Sequence, residues 1–179
     1  MSKEFLTFTY KIPSEPSKNR VYVWRSLKEL GVVYLQQGVV LLPYDEKLSA
    51  ILLNLREQVQ TLGGKSTLGK LNFLKEEDEA EVVAEFIKQI DAEYGEFIRN
   101  CQSLIEEIDQ ERTHGDFDFS EIIEHEEEYK KFQRWYESIT KKNYYKSAQQ
   151  AHAIEILKKA KMKLQEYSNE VYQKDENRL

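Results

Sequence analysis

The stretch Tyr22–Pro43 reads YVWRSLKELGVVYLQQGVVLLP and decides the fold of the N-terminal part of this 179-residue chain. It opens with an amphipathic segment that runs to Leu30, and Gly31 follows where a helix commonly ends in a left-handed residue. Two short β-branched runs then flank residues 36–38, in which Gly38 can take the positive φ of a hairpin turn. The stretch therefore predicts a helix, a strand, a tight turn and a second strand.

The segments on either side of this stretch complete a sheet domain. Residues Phe5–Tyr10 are rich in aromatic and β-branched side chains and predict a first strand. Asp45 suits the N-cap of a helix over Glu46–Leu62, and Thr67–Leu74 can form a last strand. The resulting order, βαββαβ, is that of a ferredoxin-like domain, an antiparallel sheet with both helices on one face. We predict this domain for residues 1–74.

Residues 75–179 predict three helices. Along the first helix, apolar residues recur at alternating spacings of four and three, which is typical of a helix that packs in a bundle. These residues are Val83, Ile87, Ile90, Tyr94, Phe97, Cys101, Leu104 and Ile108. Breaks near Gly115 and Asn143 separate the second helix, capped by Ser120, from its neighbours. We therefore predict a helix-dominated α+β protein in which an antiparallel three-helix bundle follows the sheet domain.

Charge divides the chain at the same place. Residues 1–74 hold 10 Lys and Arg against 6 Asp and Glu, a local charge of +4. Residues 75–179 hold 16 Lys and Arg against 26 Asp and Glu, a local charge of −10. Because binding to nucleic acid depends on placing Lys and Arg against phosphates, the N-terminal part is the one suited to it.

The single cysteine, Cys101, excludes an internal disulfide. It lies on the apolar seam of the first bundle helix, where we expect a small core residue. One cysteine suits a reducing compartment. No positively charged apolar leader opens the chain, and no apolar run approaches the roughly 18 residues of a membrane span. We expect a cytoplasmic protein with no membrane partner.

The Tyr22–Pro43 stretch resembles the N-terminal domain of the ChrB family, bacterial proteins associated with chromate resistance. The matching letters are Trp24-Arg25, Leu27-Lys28, Leu30-Gly31, Leu35-Gln36, Gly38-Val39 and Leu41-Leu42-Pro43. Family members are described as chromate-responsive transcriptional regulators, so the resemblance implies DNA binding and the sensing of chromate or another oxyanion.

The same pattern is similar to the ferredoxin-like domain of phenylacetate-type repressors and of the CRISPR adaptation nuclease. Those proteins pair through their sheets, and the resemblance therefore implies a homodimer. The nuclease has an acidic residue at the end of its first strand, where Tyr10 and Lys11 stand in this chain. The resemblance does not extend to nuclease activity.

Basic residues in and near this stretch are the candidate ligands of DNA phosphates or of an oxyanion, because their charged groups bind such anions by charge-assisted hydrogen bonds. The candidates are Arg25, Arg20, Lys28 and Lys18, with Lys65 and Lys70 farther along the chain. Arg25 ranks first because it belongs to the matching letters. The alternative interpretation is a solvated helix face. Trp24 lies on the apolar side of the helix and is predicted to be a core residue.

Residues 64–70, GKSTLGK, meet the spacing of a phosphate loop without its context. Leu71 stands where a magnesium-binding Ser or Thr is required, and the segment follows a helix instead of preceding one. We therefore expect no nucleotide site there.

The three histidines, His114, His125 and His152, suggest neither catalysis nor a metal site. Glu111 and His114 form one Glu-x-x-His motif, whereas carboxylate-bridged metal bundles use two. No arrangement of nucleophile, base and orienting group can be assembled from such scattered residues. We predict no catalytic residue, no cofactor and no metal.

The sequence thus favours a non-catalytic regulatory or sensing protein of the chromate response, whose N-terminal part meets DNA or a small oxyanion. The alternative is a protein–protein interaction or dimerisation module, in which the seam over residues 83–108 pairs with a partner chain.

Overall fold

The computed structural model of the protein describes residues 3–115 and 117–176. Its contacts divide the chain into two compact units, Met1–Phe86 and Ile87–Leu179. The division falls inside the third helix, whereas the sequence placed a domain boundary after residue 74. The first turns of that helix thus belong to the first unit. There the Glu79 carboxylate accepts hydrogen bonds from the backbone N and Nζ of Lys3 at 2.9 and 3.3 Å.

The first unit contains a four-stranded antiparallel sheet and two helices. In chain order these are β1 (Phe5–Lys11), α1 (Ser17–Glu29), β2 (Val33–Gln36), β3 (Val39–Pro43), α2 (Glu46–Thr61) and β4 (Lys65–Leu71). The strands lie in the order β2-β3-β1-β4, and every neighbouring pair is antiparallel. This topology confirms the predicted ferredoxin-like order βαββαβ.

Strand β1 lies at the centre of this unit, paired with β3 on one side and β4 on the other. Phe5 and Leu6 are both buried, and successive strand residues point to opposite faces, so both faces of the sheet are covered at this end. The pairing also sets the length of β4, since its partners run from Phe5–Leu71 to Lys11–Lys65. Lys65–Leu71 therefore form a strand that follows α2.

The local signals that predicted these elements are confirmed. Gly31 and Gly38 have φ of +69° and +76°, a region that favours glycine at a helix end and in a hairpin. The Asp45 side chain accepts hydrogen bonds from the backbone N–H of Lys47 and Leu48 and so caps α2.

The prediction that Trp24 is a core residue is wrong, because its side chain is 46% exposed. Val21 is exposed as well, and the buried residues of α1 are Val23 and Leu27. A helix turns by about 100° per residue, so residues repeated every three positions drift around the axis, whereas a pair four apart stays on one face. The pair Val23–Leu27 faces the core for that reason.

The second unit contains most of α3 (Glu76–His114), with α4 (Phe119–Lys142) and α5 (Gln149–Glu176). Helices α3 and α4 are antiparallel, since Tyr94 meets Thr140 (3.3 Å between hydroxyl oxygens) and Glu111 meets His125 at the opposite end. The predicted antiparallel bundle is confirmed. Asp118, instead of Ser120, is the N-cap of α4, because its side chain accepts a bond from a backbone N–H.

Aromatic side chains fill the core of the helical unit. Phe97 has no exposed surface, and its ring packs edge-on against Phe132 and Trp135 of α4 at centroid distances of 6.1 and 5.5 Å. Cys101 and Ile108 of the predicted seam are also fully buried in this cluster. Over this part of α3, the seam therefore packs against helices of its own chain. None of the helices within the described ranges is long and apolar enough to cross a membrane.

We expect Gly64→Ala to lower the free energy of unfolding by about 1–3 kcal/mol, because an added Cβ would lie 2.7 Å from the Lys11 carbonyl oxygen and 2.8 Å from Val59 Cγ1. Gly69→Ala in β4 is the matched control, since its Cβ would meet no atom nearer than 3.6 Å. Urea unfolding monitored by circular dichroism measures both variants. Equal midpoints for the two variants would contradict the close approach of β1 and α2 at Gly64.

Candidate functional site

A cleft of about 500 Å³ opens at the end of the sheet where β1 finishes and β4 begins. It is lined by Lys11, Ile12, Pro13, Ser14, Arg20, Gly63 and Lys65. Three of these side chains are cationic and none is acidic. We name it the lysine cleft, after Lys11 and Lys65, with Arg20 of α1 as its third cation.

The two lysines of the lysine cleft lie directly opposite each other in the β1–β4 ladder. Like charges at such positions repel and destabilise the pairing. Within the described part of the chain, neither lysine nor Arg20 forms an ion pair. An anion between these cations would remove the repulsion, and it would receive charge-assisted hydrogen bonds from ammonium and guanidinium groups.

Gly64 makes this arrangement possible. Its amide N–H donates a 2.8 Å hydrogen bond to the carbonyl oxygen of Val59 at the end of α2, which brings the chain directly from α2 to Lys65. A side chain at this position would collide with the backbone of Lys11. The lysine cleft therefore depends on a glycine that lets the end of α2 and the end of β1 approach each other.

Of the four predicted binding residues, the structure brings Arg20 into the lysine cleft. Lys18 and Arg25 are seven residues apart, two helical turns, and lie on the solvent face of α1 with Lys28. All three are exposed, and we call them the outer face of α1. Arg20 is five residues from Arg25 and eight from Lys28, which places it about 140° around the helix axis from Arg25 and about 80° from Lys28.

Exposed aromatic rings adjoin the outer face of α1. The Lys28 ammonium lies 5.0 Å from the centroid of the Trp24 ring, a cation–π contact. Tyr22 is 46% exposed, and its hydroxyl donates a 2.7 Å hydrogen bond to Gln58 of α2. Cations beside aromatic rings on one helix face can contact a phosphate backbone, so this face is a second candidate surface.

Lys65 was predicted as a candidate ligand farther along the chain than the α1 residues, and Lys11 was not among the predicted ligands. The sequence did place both lysines at element boundaries, because Lys11 directly follows the first predicted strand and Lys65 follows the second predicted helix. Only the strand register shows that the two are partners. Lys70, the other basic residue of β4, is neutralised at the far end of the strand by Glu4 (Nζ to carboxylate, 3.0 Å).

The helical unit holds a second group of ionisable side chains, which we call the glutamate cluster. It consists of Glu107 and Glu111 from α3, and Glu121, His125 and Glu128 from α4. The two α3 residues are four positions apart, and the three α4 residues are separated by four and then three positions. Residues at these spacings lie on one side of a helix. One ligand atom from each of Glu111, Glu121 and His125 lies within 4.8 Å of the others, and the same holds for Glu107, His125 and Glu128.

His125 is the buried centre of the glutamate cluster. It is 2% exposed, its Nε2 lies 2.9 Å from a carboxylate oxygen of Glu111, and its ring packs edge-on against Tyr167. The charge of Glu111 raises the pKa of the Glu121 carboxyl above its usual value. By contrast, His114, the histidine of the Glu-x-x-His motif, is exposed and contacts the backbone of Gln110.

Elsewhere in the helical unit, several cations are paired with acids. Arg112 binds Glu170 with two nitrogens and Glu166 with a third. Lys142 is 9% exposed and donates to both carboxylate oxygens of Glu93 at 2.7 and 2.5 Å. These pairs hold α5 and α4 against α3. The unpaired cations of the lysine cleft differ from them.

The family model described as Protein ChrB, N-terminal, matches residues 20–178. The match begins at Arg20 in α1 and extends through all three helices of the second unit, well beyond the Tyr22–Pro43 stretch on which the resemblance rests. No curated protein and no solved structure matches the chain.

We expect the Cys101 thiol to be unreactive in the folded protein. Burial, with a smaller contribution from the charge of Glu128, raises its pKa to about 12, so that about one part in ten thousand is thiolate at pH 8. Iodoacetamide should modify it orders of magnitude more slowly than in the urea-unfolded chain, measured by intact mass. Comparable rates in the two states would contradict a core position for Cys101.

Proposed function

This chain belongs to the ChrB N-terminal family, which is associated with chromate resistance, and we propose that it is a non-catalytic sensing and regulatory protein of that response. In this proposal the lysine cleft binds a tetrahedral oxyanion such as chromate. The observation that carries the proposal is the opposition of Lys11 and Lys65, with Arg20 beside them and no acid among the described residues that line the cleft.

The physical case rests on unbalanced charge. Three cations share one cleft and form no ion pair with any residue that the structure describes, although like charges opposed across a ladder weaken a sheet. A dianion offers four oxygen acceptors to these groups, and Arg20 can present two parallel N–H donors to it. Binding an anion would therefore stabilise the end of the sheet and the start of α1 together.

In this proposal, helix α1 connects anion binding to regulation, because it carries residues of both candidate surfaces. Arg20 faces the lysine cleft, and the same helix carries Lys18, Arg25 and Lys28 on its outer face. An anion that neutralises Arg20 changes the positive potential around the helix N-terminus and restrains the position of its first turns. Any partner of the outer face of α1 would experience both effects.

We expect chromate, or sulfate as a redox-inert substitute, to raise the melting temperature of the protein at millimolar concentration. Sulfate also stabilises proteins generally by exclusion from their surface, so the quantity to compare is the shift in each variant relative to chloride at equal ionic strength. Arg20→Ala and Lys65→Ala should lose the specific part of the shift.

Lys18→Ala is the matched control for the oxyanion experiment, because it removes one charge from the other side of α1. It should retain the full shift. A shift that is equal in the wild type, Arg20→Ala and Lys65→Ala, or that is lost in Lys18→Ala alone, would show that the lysine cleft is not the oxyanion site.

DNA is the second candidate ligand, and the outer face of α1 is the observation that favours it. Lys18, Arg25 and Lys28 are exposed, and within the described residues they form no ion pair. They also lie within residues 1–74, which carry a local charge of +4. A homodimer, which the family resemblance implies, would present two such helices to one duplex.

We expect binding to promoter DNA to weaken steeply with salt, because each neutralised phosphate releases counterions. Arg25→Ala should reduce the slope of log K against log salt by about one and lower affinity for all sequences. Fluorescence anisotropy titrations at salt concentrations between about 50 and 200 mM measure the affinity and the slope. Lys47→Ala, an exposed charge on α2, is the control, and a salt-independent affinity would overturn the DNA proposal.

A further inference from the structure

The glutamate cluster concentrates negative charge around one buried imidazole. Glu111 and Glu121 come from different helices, yet a carboxylate oxygen of each and a ring nitrogen of His125 lie within 4.8 Å of one another. One of the two carboxylates, that of Glu111, is 2.9 Å from the Nε2 atom of His125 and so has a partner. Glu121 makes no hydrogen bond or ion pair to any described residue, and it faces Glu111, a charge of its own sign.

His125 is held so that its Nε2 faces an acid, at 2.9 Å from a carboxylate oxygen of Glu111. The residue is 2% exposed, and Tyr167 packs against one side of the ring. Two pairs of carboxylates, Glu111 with Glu121 and Glu107 with Glu128, converge on this one buried imidazole. Because carboxylates and imidazole are both metal ligands, this set of groups suits a divalent cation.

From this arrangement we infer that Glu111, Glu121 and His125 bind a divalent first-row transition-metal ion. Imidazole favours ions such as zinc and iron, whereas carboxylates favour manganese and magnesium. One nitrogen and two oxygens therefore select a borderline ion, Zn²⁺ or Mn²⁺ being the simplest cases. His125 binds as neutral imidazole through Nε2, with its proton on Nδ1, and water completes the coordination shell.

The present distances suit an ion after small side-chain rotations. Ligand bonds of about 2.1 Å place neighbouring ligand atoms about 3–4 Å apart, somewhat closer than the 4.8 Å limit within which these atoms lie. Tyr167 supports the site, because its hydroxyl is in hydrogen-bond contact with the Glu111 side chain. Such a partner orients a metal-binding carboxylate. Glu107 and Glu128, on the same histidine, supply further negative charge.

A bound ion would join the C-terminal end of α3 to the N-terminal part of α4. These helices are connected by residues 115–118, and Glu111 and Glu121 lie on either side of that connection. The ion would thus bridge α3 and α4 next to their connection and convert the repulsion between Glu111 and Glu121 into shared coordination. This departs from the sequence-based expectation of no metal, which rested on the presence of one Glu-x-x-His motif where carboxylate-bridged metal bundles use two.

The test is titration of the full chain, freed of metal with chelator, with Zn²⁺ by calorimetry and with Co²⁺ by visible absorption. We expect one ion per chain, cobalt bands that report nitrogen and oxygen ligands, and a higher melting temperature with metal. Glu121→Gln should lower the Zn²⁺ affinity at least tenfold, because changes to residues that merely support metal ligands already cost about 10–100-fold.

Glu124→Gln is the matched control, since it removes the same charge from an exposed residue of α4 that is not part of the cluster and should leave affinity unchanged. Glu121→Gln should not lower the stability of the metal-free protein, because it removes a repulsion from Glu111 and breaks no hydrogen bond. If His125 and Glu111 form only a structural bond, stoichiometric binding will be absent, or the two variants will bind Zn²⁺ equally. Either result overturns the proposal.

Discussion

The pairing of β1 with a strand on each side is the constraint on which the N-terminal unit depends. Phe5 and Phe8 of this strand are fully buried, so its position in the sheet cannot slip without exposing them. The same register sets Lys11 opposite Lys65 at the far end of the strand. The core therefore positions the charges, and the repulsion between two lysines is tolerated because hydrophobic burial elsewhere on β1 outweighs it.

Charged side chains are arranged differently in the sheet domain and in the helical unit. In the helical unit, cations such as Arg112 and Lys142 are engaged by acids of neighbouring helices, and the surplus of acids gathers around His125. In residues 1–74, the surplus is cationic and includes the lysine cleft and the outer face of α1. The lysine cleft is therefore complementary to an anion and the glutamate cluster to a cation, which follows from the uneven distribution of Lys, Arg, Asp and Glu along the chain.

Local signals predicted the elements well because their causes are local. A glycine after α1 and another in the hairpin take positive φ as predicted, and Asp45 caps α2. Where two local signals compete, the prediction failed. Asp118 caps α4 in place of Ser120, and Trp24 lies at the surface, because the pair Val23–Leu27 already faces the core of its unit.

The sequence by itself determined the family, the βαββαβ order, the three helices and the positive character of the N-terminal part. It also named Arg20, which lines the lysine cleft. Tertiary structure alone decided which charges meet. Lys11 and Lys65 are brought together by strand register, and Glu111 and His125 by the packing of two antiparallel helices. Periodicity shows which face a residue occupies, but the residue opposite it depends on contacts between segments far apart in the chain.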